Sequence, residues 1–339
     1  MQLRKKLLIF MFVFFTGTAV FSLTLKIGSL APKNSPWDKT LNEIAVEWKR
    51  VSAGRIQLKI YPGGITGNEE DTLRKMKVGA LDGMVVSTMG LNKISNDLFV
   101  LSLPFLIRDE EELDFVLEKI DVTYNEIMTD KGYKLVGLTK AGWMNIFSRD
   151  PVFYPADLEN QKLGFTSGEI VLTKILKDLG FQIVPSDSID WLSSLQSGRS
   201  DALLLSSLLA TAYQVFPIAN NMLNFPISPL LGAIVFSERS WKKIPEKYHQ
   251  DFLDITKDRI IVLNQESVEL EKTALKVMID NGLTVNPSNN SIAEAWDKIV
   301  KNLYEDDEGI IGSMVSRTIY NEVISYIEEY RNNFNNNAN

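Results

Sequence analysis

Two alternating runs separated by one amphipathic helix constrain this chain more than any other feature. In LTLKIGSLAP the apolar residues Leu23, Leu25 and Ile27 share one parity, the period of a half-buried strand. Pro32 and Pro36 bracket a loop, and Ser35-Pro36-Trp37-Asp38 opens a helix to about Ser52. Trp37, Leu41, Ile44, Ala45 and Trp48 recur there at helical spacing. Ala53-Gly54 stops it, and RIQLKIYP alternates again as a second strand. The turn GGITGNEED leads into a helix over Glu70–Val78, and LDGMVVS supplies a third strand. Strand, helix, strand, helix, strand implies right-handed crossovers and a parallel sheet. Ligands of such sheets sit beyond the carboxyl ends of the strands, here Ser29–Ser35, Gly63–Glu69 and Ser87–Met89.

The same grammar returns in a second block. GYKLVGLT and WMNIFS read as two strands, and DLENQKLGFTS contains another. GEIVLTKILKDLG reads as a helix, followed by QIVP, a helix through Leu195, and the strand SDALLLS. From Pro245 to about Asn281 no internal Gly or Pro interrupts a pattern of roughly nine helical turns. A helix that long can cross two lobes, and a chain of 339 residues is long enough for two. The expected class is α/β, with two lobes.

The first residues read as an export signal rather than as fold. Arg4, Lys5 and Lys6 precede the apolar run Leu7–Phe15, and small residues follow at Thr16–Ala19 and Ser22. About 15 apolar residues fall short of the roughly 20 that span a bilayer, so a cleaved signal over residues 1–22 and a periplasmic address are expected. No later apolar run reaches spanning length.

Composition then removes whole classes of function. The net charge is −7 and becomes more negative once the basic leader is gone, which argues against nucleic acid and anionic lipid. With no cysteine, thiolate catalysis, thiolate metal sites, disulfides and a lipid-anchoring cysteine are all absent. The one histidine, His249, lies in PEKYHQD and reads as exposed helix surface. GGITGNEED lacks the Lys-Ser/Thr of a phosphate loop, and EDDEG (Glu305–Gly309) lacks calcium-loop spacing. No metal, cofactor or catalytic residue is expected. The NNFNNNAN end reads as unstructured over 335–339.

Five segments in order carry a resemblance: SLAPKNSPWDKTLNEIAVEWKRVSAGRIQLKIYPGGITGNEEDTLRKMKVGALDGMVVST, LSLPFLIRDEEE, PADLENQKLGF, LQSGRSDALL and FSERSWKKIPEKYHQDFLD. Together they resemble the extracytoplasmic solute-binding proteins of tripartite ATP-independent periplasmic (TRAP) transporters. That resemblance implies two α/β lobes joined by hinge strands, a long helix across both, and a ligand closed between them. It also implies delivery to membrane permease subunits driven by an ion gradient. The implied division is 23–142 with 227–262 for lobe I, and 143–226 with 263–334 for lobe II.

Departures from the family pattern bear on the solute. Its ligand-holding arginine in Lys-Ile-Arg-Val-Pro corresponds to Gly164 of Lys162-Leu163-Gly164-Phe165-Thr166, a second arginine to Met144, and an asparagine to Leu205. Arginine grips a carboxylate through a planar two-pronged fork, and a carboxylate enclosed without a partner costs several kcal/mol. The expected solute is therefore hydrophobic or amphipathic. Its expected wall comprises Ser35, Glu69, Thr88 and Met89 from lobe I, with Trp143, Met144, Gly164, Thr166, Leu204, Leu205, Ser206 and Tyr213 from lobe II. Leu203 is assigned to the core, on the face opposite Leu205. Such an apolar cleft is associated, by analogy within the family, with a periplasmic tetratricopeptide-repeat partner. The alternatives are a ligand-free docking module and an organic-acid binder that recruits Lys140 or Arg149. Nothing in the sequence supports an enzyme. The signal is directly checkable: intact mass of protein from a periplasmic fraction should place the N-terminus near Val20 or Leu23, and a retained Met1–Phe15 would overturn it.

Overall fold

The computed structural model describes residues 22–165, 170–186, 190–305 and 309–335. The leader through Phe21, Thr166, the middle of EDDEG and residues 336–339 lie outside them.

Ten strands form one mixed sheet among the described residues: β1 (Leu23–Ser29), β2 (Ile56–Tyr61), β3 (Gly83–Ser87), β4 (Tyr133–Ser148), β5 (Lys162–Phe165), β6 (Gln182–Pro185), β7 (Ala202–Leu205), β8 (Asn221–Leu223), β9 (Ser228–Ser237) and β10 (Thr284–Asn286). The main path runs β2-β1-β3-β9-β4-β7-β5-β6, with β8 on β4 and β10 on β8. The outer pairs are parallel, as the crossovers require: β1 with β2 and β3, and β5 with β6 and β7. The centre is antiparallel, because β9 runs against both β3 and β4, and β4 runs against β7. The all-parallel expectation therefore holds for each flank and fails in the middle.

One reading is corrected there, and one strand went unread. GYKLVGLT and WMNIFS are one strand of 16 residues, not two. Register shifts at Leu135/Gly137 and Lys140/Trp143 bend it while the ladder with β9 continues past the turn residues Ala141-Gly142. The strand β9 itself has no alternation to reveal it, since nine of its ten residues are buried.

Helices cover both flanks. Ser35 caps the Pro36–Val51 helix by accepting from the Asp38 amide, and Asn68 caps the Glu69–Lys77 helix by accepting from Asp71. The long helix is His249–Asp280, 32 residues. Its first turns meet the Pro36–Val51 helix, its middle crosses β4, and its last turns meet the short Ser207–Ala212 helix. His249 is half-buried rather than exposed; its ring lies 4.8 Å from Trp241 and its Nε2 is 3.0 Å from the Ile244 carbonyl.

The C-terminal segment departs from the expected lobe division. Helix Arg317–Asn335 lies on the Glu110–Asp130 helix of lobe I, with Lys119–Glu329 at 2.8 Å and Arg331–Glu112 at 2.6 Å. Helix Asn290–Glu305 touches both lobes. Trp296 stacks on Phe105 and donates to the Phe153 carbonyl, and Tyr304 donates to the Pro104 carbonyl. Residues 263–334 therefore do not form a block belonging to lobe II alone.

Trp48 joins three elements of the lobe I core. It stacks on Phe252 of the long helix at 4.1 Å and on Phe236 of β9 at 5.7 Å, and its indole N–H donates to the Phe252 carbonyl. Trp48→Ala should cost about 3–5 kcal/mol in urea unfolding with an unchanged slope, and Trp48→Phe clearly less. A shift below about 1 kcal/mol for the alanine variant would refute that role.

Candidate functional site

The carboxyl ends of β1, β2 and β3 on one flank and of β5, β6 and β7 on the other point toward the middle of the sheet, where β4 and β9 cross. This is the cleft position for a parallel-flanked α/β protein.

On the lobe I side the polar centre is Glu69 with Ser87. Glu69 is 8% exposed, and it accepts from the Ser87 amide and, at 2.9 Å, from the Ser87 hydroxyl. Burial pushes its carboxyl above the ordinary glutamate range, partly opposed by those hydrogen bonds and by the Lys93 charge. Ser87 itself is exposed and caps the Thr88–Ile94 helix. Met89 is half-buried beside it. Thr88 and Ser35, both expected at the wall, have other work. The Thr88 hydroxyl exchanges hydrogen bonds with the backbone of Leu231 in β9, and Ser35 is the helix cap described above.

On the lobe II side the strand register decides which residues share a face. Asn145 stands opposite Leu205, Phe147 opposite Leu203, and Gly164 beside Leu203. Directly paired residues project to the same face, and faces alternate along a strand. Gly164, Leu203, Leu205 and Asn145 therefore share one face. Leu204 shares the other with Ile146, and both join the main core. The expectation that Leu203 and Leu205 oppose one another is corrected: residues two apart in a strand cannot do so. Met144 joins the main core as well, at 4% exposure. Leu205 is 2% and Leu204 6% exposed, so both are packed side chains rather than an open apolar wall.

Gly164 is closed to any side chain. A β-carbon there would lie 2.6 Å from the Ser200 hydroxyl oxygen and 2.7 Å from a Leu203 methyl. Ser200 is held in place at 2.7 Å from the Ser194 hydroxyl. Ser206 caps the Ser207–Ala212 helix, and Tyr213 at its end packs edge-on against Trp191 at 5.0 Å. Trp143 is half-buried and donates to Glu110 at 2.7 Å. Thr166 lies outside the described residues.

Both bases suggested as substitutes for the family arginines already have partners within the protein. Lys140 is bound at 2.7 Å by both Glu110 and Asp114. Burial works to lower its pKa, but hydrogen bonds and charge from those two carboxylates outweigh it, so the ammonium is held. Arg149 follows the far end of β4, and its guanidinium donates to the Leu195 carbonyl. Sequence reasoning missed Asn145, the polar residue sharing the face of Leu205 and Gly164, because the register was not known. Among the described residues no group of His, Asp or Glu is arranged to hold a metal ion, and no helix is long and apolar enough to cross a membrane.

Comparison with known proteins places this geometry. A "Solute-binding protein" of Chromohalobacter salexigens is 21% identical over 263 residues, covering 76% of this chain and 77% of its own. A TRAP periplasmic solute-binding protein of Xanthobacter autotrophicus, solved with bound β-D-galacturonate, superposes with a TM-score of 0.77 at 19% identity, covering 90% and 99% of the two chains. Another from Chromohalobacter salexigens, solved with D-glucuronate, gives 0.78 at 18% identity over 90% and 99%. These neighbours hold acidic sugars. They overturn the expectation of a hydrophobic ligand as a property to be read from the family, as does the burial of Met144, Leu204 and Leu205. None of them names a tetratricopeptide partner. The family description "Bacterial extracellular solute-binding protein, family 7" matches residues 27–308, and the chain belongs to that family.

Proposed function

We propose that this protein is the periplasmic substrate-binding component of a TRAP transporter. It closes on a small solute between its two lobes and hands it to membrane permease subunits. Residues 1–22 would direct export and be removed. The division into lobes follows the crossing of β4 and β9, with the C-terminal helix returning to lobe I. The family assignment over residues 27–308 supports the role.

The solute is neutral on the face it turns to lobe II. One observation carries this: Gly164, where the family presents an arginine, has no space for even a methyl group. A carboxylate placed there would lack a charged partner, and desolvating it would cost several kcal/mol. Asn145 is an uncharged amide on the same face, its Nδ2 donating to the Trp143 carbonyl at 3.0 Å. Across the cleft, burial raises the pKa of Glu69 and so favours its neutral carboxyl, which adds no fixed charge to that side.

Two measurements test this reading. In calorimetry at physiological salt, D-glucuronate and D-galacturonate should give no measurable binding, and any co-purifying solute released for mass spectrometry should lack a carboxylate. Micromolar binding of either uronate would reject it. The second follows from the direction of the Glu69 shift. A carboxyl whose folded pKa is raised contributes stability below the ordinary glutamate value, and that stability is lost as pH rises through the folded value. Glu69→Gln should therefore gain in melting temperature relative to wild type as pH climbs above the ordinary glutamate range. A difference that is flat with pH would show that Glu69 is not held in that environment.

A further inference from the structure

The long helix sends two polar side chains, seven residues apart and so on one face, to the place where β4 changes register. Asn264 accepts from the Thr139 hydroxyl at 2.8 Å and from the Lys140 amide at 2.9 Å. Two turns later, Glu271 accepts from the Ser207 amide at 3.0 Å and the Leu208 amide at 3.3 Å, the free donors at the start of the Ser207–Ala212 helix. The same carboxylate closes over Gly142. That residue sits at φ +98°, and a β-carbon on it would lie 2.7 Å from Glu271 Oε1. Gly142 lies within the Lys140/Trp143 register shift, the second of the two irregularities in the pairing of β4 with β9.

We propose that Glu271 is a positioning residue that couples this crossover to the lobe II wall. Its carboxylate spans the register shift at Gly142 and the amides that open the helix following Leu205. A rotation of the crossover therefore moves the start of that helix with it. The alternative is a plain helix cap, in which Glu271 satisfies two amides and touches Gly142 without consequence. The geometry favours coupling because Asn264 fixes the preceding residues of the crossover from the same helix face. Thr211 adds a third tie, its hydroxyl donating to the Ala274 carbonyl at 3.4 Å. The inference rests on the two-lobed reading of the cleft, and its test uses no solute, so a wrong solute class leaves it standing.

The test is amide hydrogen exchange on the mature chain in four forms: wild type, Glu271→Gln, Glu271→Ala and Ser207→Pro. Proline is well suited to the first position of a helix and removes the Ser207 amide and hydroxyl from Glu271 while leaving the Leu208 amide, and the extended backbone of Ser206 suits a residue before proline. Glu271→Ala should speed exchange by about tenfold or more in both 139–143 and 207–209, with the β1–β2 amides unchanged as a control for global opening. Ser207→Pro, altered only on the wall, should speed exchange at 139–143. Glu271→Gln keeps an acceptor oxygen and should lie closer to wild type than Glu271→Ala does. If Glu271→Ala affects 207–209 alone, or Ser207→Pro leaves 139–143 at the wild-type rate, Glu271 is only a cap and the coupling is refuted. Should Glu271→Ala fail to fold, the Ser207→Pro result decides between the two.

Discussion

The pairing of β4 with β9 is the constraint on which the rest of the molecule depends. These two strands are the sole members of the main sheet path shared by both flanks: β9 carries β3 on one side, and β4 carries β7 on the other. Nine of the ten residues of β9 and most of those of β4 are buried, so a slip of one residue would turn their side chains to the wrong face. The relative placement of the lobes is thus written into a hydrogen-bond register. The shift at Lys140/Trp143 is where that register is interrupted and where the chain can bend.

Polar groups gather at that interruption because its backbone is partly freed from the ladder and still buried. Unpaired backbone donors in such a place are costly. From one side the Glu110–Asp130 helix supplies Glu110, which takes both the Lys140 ammonium and the Trp143 indole N–H. From the other the long helix supplies Asn264 and Glu271. The buried Lys140 ammonium is met by two carboxylates, and the half-buried Glu110 and Glu271 each accept from more than one donor, which is the condition for keeping such charges. Burial still raises the Glu271 pKa against those hydrogen bonds, so the site sits at a balance between desolvation and pairing.

What was legible in the sequence follows from which structures leave a local periodic trace. Half-buried strands such as β1 and surface helices such as Pro36–Val51 alternate apolar and polar residues, and both could be read. The long helix showed itself by the absence of Gly and Pro. The almost fully buried β9 left no alternation to read. The continuous β4 looked like two strands because Gly142 sits inside it. The site was legible only where resemblance supplied positions: Gly164 and Leu205 could be named, but not that Asn145 shares their face. That fact belongs to the antiparallel register of β4 and β7. Glu271 was beyond reach, since its partners at 207 and 208 are more than sixty residues away in the chain and its own surroundings read as solvated helix.

The same register explains why the lost arginine is not a simple deletion that one substitution could reverse. Gly164 stands beside Leu203 on the β5–β7 pair, and the space a side chain would need is filled by Leu203 and by Ser200, itself tied to Ser194. Leu205, two residues on, fills the neighbouring volume against Phe147 and Trp191. An arginine could return to position 164 only if Leu203 and Ser200 were reshaped together, because a close-packed interior yields by whole side chains rather than by small adjustments. The closure of position 164 is therefore a property of a packed group of residues, with Leu203 and Leu205 both in the core beside Phe147 and Trp191.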